Sequence, residues 1–102
     1  MQSISVEELK AKIDSGETFN LIDVREPNEH ADFNVGGILL PLGQVQMMQL
    51  DDIESMKDEP VYVYCRSGNR SGQACLIMEA AGFKNTINVT GGMLAWQDRI
   101  GK

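Results

Sequence analysis

The sequence predicts an α/β domain with a mainly parallel central sheet and helices on both of its faces. Short apolar runs rich in β-branched residues alternate with segments of helical periodicity, and this alternation is typical of parallel βα units. The chain has 102 residues, enough for one hydrophobic core and too few for a second core with its own cleft. We therefore expect residues 1–102 to form one domain, with a site at the carboxyl ends of the strands.

The first segments predict a helix, a strand and a turn. Ser5 and Glu8 have the spacing of a capping box, and apolar residues then recur at helical intervals up to Gly16. Residues 19–24 are mostly apolar and indicate a buried strand. Pro27 ends this strand and can begin a short helical turn.

The middle of the chain predicts two further strands and a short helix. Residues 37–41 form a second apolar run, and residues 44–50 predict a helix with Val45 and Met48 facing inward. Residues 61–64 alternate valine and tyrosine, which is typical of a central strand.

The C-terminal third continues the alternation. We expect a helix from about Asn69 to Ala81, because Gly82 is a natural residue to end it. Residues 86–89 indicate another strand, and the glycine pair at 91–92 separates it from a last helix.

The charge balance excludes some classes of partner. Nine basic and fifteen acidic side chains give a net charge of −6, which repels phosphates and anionic membranes. The apolar runs are too short to span a bilayer, and the N-terminus lacks the pattern of a secretory leader. We expect a cytosolic monomer that binds neither nucleic acid nor membrane and needs no metal or other cofactor.

The two cysteines have different predicted roles. Cys65 follows a predicted strand directly, whereas Cys75 shares a helical face with Ser71 and Met78 and is expected in the core. They do not form a CxxC pair. Cys75 lies ~9 Å along the predicted helix, whereas the Cα atoms of a disulfide are roughly 4.4–6.8 Å apart. A disulfide between them is therefore not expected.

The loop after the third predicted strand has the features of a nucleophilic site. Unpaired amides and the dipole at the start of a helix stabilise negative charge, so the Cys65 thiol is expected to shift toward the thiolate. Gly68 allows a tight turn, and Ser67 and Asn69 are small enough to leave space above the sulfur.

Two arginines in the same loop predict an anionic substrate. Arg66 and Arg70 could hold the oxygens of a small sulfur donor such as a thiosulfonate while Cys65 attacks its outer sulfur. The product on the protein would be a persulfide. Sulfite is a good leaving group, so the only histidine, His30, need not act as a base and is expected to be a structural or surface residue.

Three segments carry a family resemblance. Residues 65–71 resemble the active-site loop of small rhodaneses, the single-domain thiosulfate sulfurtransferases, while residues 21–27 and 91–96 resemble two other signatures of that family. The resemblance implies a rhodanese-like three-layer domain, a catalytic Cys65, and substrate and persulfide binding by the loop residues Arg66, Ser67, Gly68, Asn69 and Arg70.

The same resemblance assigns supporting roles and shows one departure. Asp23 and Arg25 would tie together loops near the site. The family's usual Gly-His-Ile-Pro-Gly-Ala pattern is replaced by residues 32–37, so that Phe33 stands where a histidine is customary. We expect this departure to alter one edge of the pocket and leave the nucleophile intact.

Two other functions remain open. Phosphatases and arsenate reductases also place a cysteine and an arginine around an anion-binding loop, but only four residues separate Cys65 from Arg70, one fewer than in phosphatases of this kind. The smaller loop fits a sulfur atom better than a phosphate. The second alternative is a sulfur carrier module whose acceptor is a protein thiol, which exposed Met47 or Met48 would favour.

An acidic run in the middle of the chain could imitate a metal site. Asp51, Asp52 and Glu54 are adjacent in sequence and lack a converging fourth ligand. We interpret them as a solvated face.

Overall fold

A five-stranded parallel sheet forms the centre of the structure, a computed structural model that describes residues 1–101. The order across the sheet is β1-β5-β4-β2-β3, which places β4 in the middle. The strands are β1 (Gln2–Ile4), β2 (Asn20–Asp23), β3 (Ile38–Leu39), β4 (Pro60–Tyr64) and β5 (Asn85–Val89).

Helices connect the strands. They are α1 (Val6–Asp14), α2 (Pro27–Asp32), α3 (Leu42–Gln46), α4 (Asn69–Ala80) and α5 (Gly92–Arg99), with a 3-10 helix at Asp51–Met56. Among the residues described, none of these helices has the length and apolar character required to cross a bilayer.

Two hydrophobic clusters flank the sheet, as the α/β prediction requires. One packs α3, α4 and the 3-10 helix against β2 and β4, and its members include Val63, Cys75 and Met78. The other packs α1 and α5 and includes Leu9 and Trp96. The predicted fold class, with a parallel sheet between helices, is therefore confirmed.

The strand register brings the site's segments to one edge. Asp23, at the end of β2, lies opposite Tyr64, at the end of β4. Asn88 of β5 lies opposite Val63 on the other side of β4. The loop that begins at Cys65 therefore leaves the sheet between the ends of two neighbouring strands.

Several predicted elements are confirmed close to their expected bounds. Ser5 caps α1, and its hydroxyl and the Glu8 carboxylate form both hydrogen bonds of a capping box. The helix expected from Asn69 to Ala81 is α4, which ends one residue earlier. Both cysteines are free and buried, so the expectation of no disulfide is confirmed.

The prediction for residues 44–50 is partly wrong. The helix there is α3, which ends at Gln46, and Met48 is 54% exposed instead of facing inward. Met48 has a φ of 58°, which turns the chain so that Leu50 enters the core. Val45 is buried, as predicted.

Two elements were not anticipated. The strand β1 has only three residues, none of them buried, and it is defined by its pairing with β5. The 3-10 helix buries Ile53 and exposes Asp51, Asp52 and Glu54. The acidic run is therefore a solvated face, as interpreted from the sequence.

Candidate active site

The Cys65 sulfur lies at the junction between β4 and α4. Its side chain is buried, and the Gly68 N–H donates a hydrogen bond to Sγ at 3.1 Å. The Ser71 Oγ is 3.4 Å from the same sulfur. Gly68 has a φ of 101°, a conformation that favours glycine and lets the loop turn its amide toward the sulfur.

The environment of this thiol favours its charged form. Burial raises the pKa of Cys65, but hydrogen bonds from the Ser71 hydroxyl and from the N–H groups of Ser71, Gly68 and Ser67 outweigh burial, and the pKa lies below its ordinary value. A larger share of Cys65 is therefore thiolate, the nucleophilic form, than for an ordinary cysteine.

The N-terminus of α5 holds the other side of the loop backbone. The Met93 N–H donates to the Cys65 carbonyl at 3.0 Å, and the Leu94 N–H donates to the Arg66 carbonyl at 2.9 Å. A Cβ at Gly92 would overlap both of these carbonyl oxygens. The lack of a side chain at Gly92 thus lets α5 approach closely enough to bind the loop carbonyls while the loop amides face the sulfur.

The predicted substrate-binding residues of the loop differ in exposure and in ion pairing. Arg66, Ser67 and Asn69 are exposed, and Arg66 forms no ion pair with any residue between 1 and 101. Arg70 differs, because its guanidinium makes two hydrogen bonds to the carboxylate of Glu29 in α2, at 2.7 and 2.9 Å. Substrate binding by Arg70 remains a prediction, and it would have to occur alongside this pair or after it opens.

Glu29 was not identified from the sequence. The hydrogen bonds from Arg70 lower the pKa of its carboxyl to about 2, so it is ionised at neutral pH and unable to act as an acid. The sequence contained no direct signal for this pair, because the two residues are 41 positions apart.

Asp23 and Arg25 form a buried pair beside the loop. The Arg25 side chain donates to both Asp23 carboxylate oxygens, at 2.9 Å from Nε and 2.8 Å from Nη2, and to the Phe33 carbonyl at 2.6 Å. His30 Nδ1 lies 2.7 Å from the same carboxylate. These contacts fasten α2 to the end of β2, and through them the pair would support the site.

A cleft of about 250 Å³ adjoins the loop. Arg66, Phe33 and Leu94 are among its lining residues. Phe33, at the position of the customary histidine, is thus part of a cleft wall beside the loop.

A second residue that sequence reasoning missed is Asn88. It is buried in β5, its Nδ2 donates to the Gly68 carbonyl at 3.2 Å, and its Oδ1 accepts from the Ser71 hydroxyl. The available signal was a polar side chain between the buried residues Ile87 and Val89.

Cys75 lies apart from this chemistry. Its thiol is buried in the core, and burial raises its pKa to about 11. The prediction that Cys75 belongs to the core is confirmed.

Comparisons with known proteins give a consistent result. A family model described as a rhodanese-like domain matches residues 5–99. The chain is 34% identical over 97 residues to a sulfurtransferase of Allochromatium vinosum, covering 94% of this chain and 88% of that protein. It is also 33% identical to a rhodanese-like domain protein from Staphylococcus aureus, whose crystal structure aligns with a TM-score of 0.80 over 98% of this chain and 95% of that chain.

One of the relatives is about twice as long as the region that matches this chain. The chain is 39% identical over 94 residues to a Bacillus subtilis protein provisionally named a sulfur carrier protein. The match covers 91% of this chain but only 49% of that relative, so the chain spans about half of its length.

Proposed function

The chain belongs to the rhodanese family, and from this premise we propose that it is a thiosulfate sulfurtransferase that carries sulfur as a persulfide on Cys65. Family membership and the names of its relatives support sulfur transfer in general. The observation that carries the finer proposal is the environment of the Cys65 thiol. Its sulfur accepts a hydrogen bond from the Gly68 N–H at the start of α4, and its pKa is lowered.

The loading step is a nucleophilic displacement at sulfur. The Cys65 thiolate attacks the outer sulfur of thiosulfate, a new S–S bond forms, and the bond to the sulfonate group breaks. Sulfite leaves with the electron pair of the broken bond, and the terminal sulfur of the persulfide keeps one negative charge. No proton is transferred in this step, and the ionised Glu29 is accordingly not required as an acid.

The unloading step returns the thiolate. Cyanide or a thiolate attacks the terminal sulfur, the bond between that sulfur and Cys65 Sγ breaks, and thiocyanate or a new persulfide departs. Arg66, exposed and without an ion-pair partner among residues 1–101, is the cation best placed to attract an anionic donor. The backbone amides of Ser67, Gly68 and Asn69 would bind the terminal sulfur.

Intact mass spectrometry tests the proposal. The protein is incubated with thiosulfate, desalted and weighed, with Cys65→Ser as the test variant and Cys75→Ser as the matched control. We expect a gain of about 32 Da, lost on thiol treatment, in the wild type and Cys75→Ser but not in Cys65→Ser. Absence of the adduct, together with hydrolysis of a phosphate ester or reduction of arsenate, would instead support the phosphatase or arsenate reductase alternative.

A protein-partnered sulfur carrier is the second candidate. Met47 and Met48 are 71% and 54% exposed at the end of α3, which offers an apolar surface for a partner. The relative provisionally named a sulfur carrier adds support. Rapid-mixing kinetics would separate the two: unloading by cyanide or dithiothreitol much slower than loading favours the carrier, whereas comparable rates favour the enzyme.

A further inference from the structure

The Ser71 hydroxyl has one proton and two acceptors within reach. Its Oγ lies 3.4 Å from Cys65 Sγ and also within hydrogen-bond distance of Asn88 Oδ1. All three side chains are buried. Because a hydroxyl donates a single hydrogen, it cannot serve both acceptors at once.

The orientation of Asn88 is fixed by the loop. Its Nδ2 donates to the Gly68 carbonyl, and this leaves Oδ1 directed at Ser71. The amide of the same Gly68 donates to Cys65 Sγ. A single side chain on β5 therefore contacts the Ser71 hydroxyl and the Gly68 carbonyl, which belong to two of the residues that donate hydrogen bonds to the sulfur.

We propose that Asn88 is a positioning residue: its Oδ1 accepts the hydrogen bond of the Ser71 hydroxyl when Cys65 carries sulfur and loses this hydrogen bond to the sulfur when Cys65 is an empty thiolate. The inference rests on the proposed function and deepens it. In the thiolate the negative charge is on Sγ, and the Ser71 hydroxyl turns to it. In the persulfide the charge is on the terminal sulfur, so the uncharged Sγ is a poor acceptor and the hydroxyl returns to Asn88 Oδ1.

The two orientations of the Ser71 hydroxyl leave different polar groups with a hydrogen-bond partner. In the loaded state Ser71 and Asn88 satisfy each other, whereas in the empty thiolate the buried Asn88 Oδ1 loses its donor. An unsatisfied buried acceptor is unfavourable. Asn88 therefore disfavours the empty thiolate relative to both the neutral thiol and the persulfide, and it shifts the equilibrium toward loading.

The pH dependence of Cys65 alkylation by iodoacetamide tests the competition without any sulfur donor. Asn88→Ala should move the midpoint to lower pH by about half a unit, because Ser71 is then free to donate to the sulfur. Ser71→Ala should move it to higher pH. In the Ser71→Ala background, Asn88→Ala should cause no further change.

This set of single and double variants is a double-mutant cycle. It separates the competition of Cys65 and Asn88 for the Ser71 hydroxyl from a general effect of Asn88 on the loop. Arg70, which is paired with Glu29, and the buried Cys75 both interact electrostatically with Cys65, and all three of these groups are unchanged in the variants. A midpoint that is unmoved or raised in Asn88→Ala overturns the proposal. So does a shift that persists without the Ser71 hydroxyl, because Asn88 would then act through Gly68 alone.

A second measurement follows the persulfide itself. At a fixed ratio of thiosulfate to sulfite, the ratio of loaded to empty Cys65 should fall about three-fold in Asn88→Ala and should not change when that substitution is added to Ser71→Ala. If the wild type forms no persulfide, the proposed function fails. The alkylation measurements on the Asn88 and Ser71 variants still decide whether Cys65 and Asn88 compete for the Ser71 hydroxyl. Asn88→Leu, which fills the same space without polar atoms, replaces Asn88→Ala if thermal unfolding shows that the latter is not folded.

Discussion

At the scale of single residues, two cysteines of one chain are placed in opposite electrostatic environments. Cys65 receives hydrogen bonds that lower its pKa, whereas Cys75, in the middle of α4, has a pKa raised to about 11 by burial. The difference arises from position, because the amides at the start of a helix are unpaired and those in its interior are already bonded.

This contrast predicts selective alkylation. Iodoacetamide should modify Cys65 alone at neutral pH, and the midpoint of its pH dependence should lie below that of an ordinary thiol because the Cys65 pKa is lowered. Reactivity should be retained above that midpoint and lost as the pH falls through it, because protonation removes the thiolate. Peptide mapping after brief labelling at several pH values checks the site, and modification of Cys75 at the same pH would contradict the prediction.

At the scale of elements, the close approach of α5 to the loop that begins at Cys65 depends on Gly92. Its φ is 54°, and a Cβ there would meet the carbonyl oxygens that Met93 and Leu94 bind. We predict that Gly92→Ala displaces the loop, destabilises the fold by about 1–3 kcal/mol and slows sulfur loading at least ten-fold.

Gly43 offers a matched control in α3. It has no positive φ, and a Cβ at this position meets no atom within 4 Å. Gly43→Ala should leave loading unchanged and should not lower the free energy of unfolding. Urea unfolding and the mass assay for the persulfide check both variants. If Gly43→Ala lost as much stability and loading rate as Gly92→Ala, the contact between α5 and the loop would not be the cause of these losses.

The ion pair between Glu29 of α2 and Arg70 of α4 makes the free energy of unfolding depend on pH. The pKa of Glu29 is about 2 in the folded protein, below its ordinary value of 4.5. Its contribution to stability is therefore fully present above pH 4.5 and is lost as the pH falls toward 2.

Glu29→Gln tests this contribution. Because the pair is partly exposed, we expect a loss of about 1 kcal/mol at neutral pH and a smaller difference from the wild type near pH 3. Urea unfolding at the two pH values measures it. Glu7→Gln is the control, since its pair with Arg99 is 3.4 Å long and half exposed, and an equal pH-dependent loss in this control would refute the assignment to Glu29.

At the scale of the whole molecule, local patterns predict the elements, while the assembly of the site depends on register. The proposed nucleophile, Cys65, is contiguous with its loop, so both could be proposed from residues 65–71 alone. Glu29 and Asn88 could not, because they reach the loop only after β2, β4 and β5 align. The short strand β1 was also missed, since its three residues have no buried face and are ordered by β5.

The charge of the whole molecule predicts how thiosulfate reaches the site. The chain carries a net charge of −6. Of the arginines beside the loop, Arg25 is paired with Asp23 and Arg70 with Glu29, whereas Arg66 has no ion-pair partner among residues 1–101. A dianionic donor is therefore repelled at long range and attracted only close to the loop.

Salt should favour the encounter, because it screens the long-range repulsion more than the attraction at contact. We expect kcat/KM for thiosulfate to rise on the order of two-fold between low and physiological ionic strength. The rise should be steeper in Arg66→Ala, which lacks the short-range attraction. Alkylation of Cys65 by uncharged iodoacetamide is the control and should not respond to salt. A fall of kcat/KM with salt would show instead that Arg66 governs the approach of the donor from a distance.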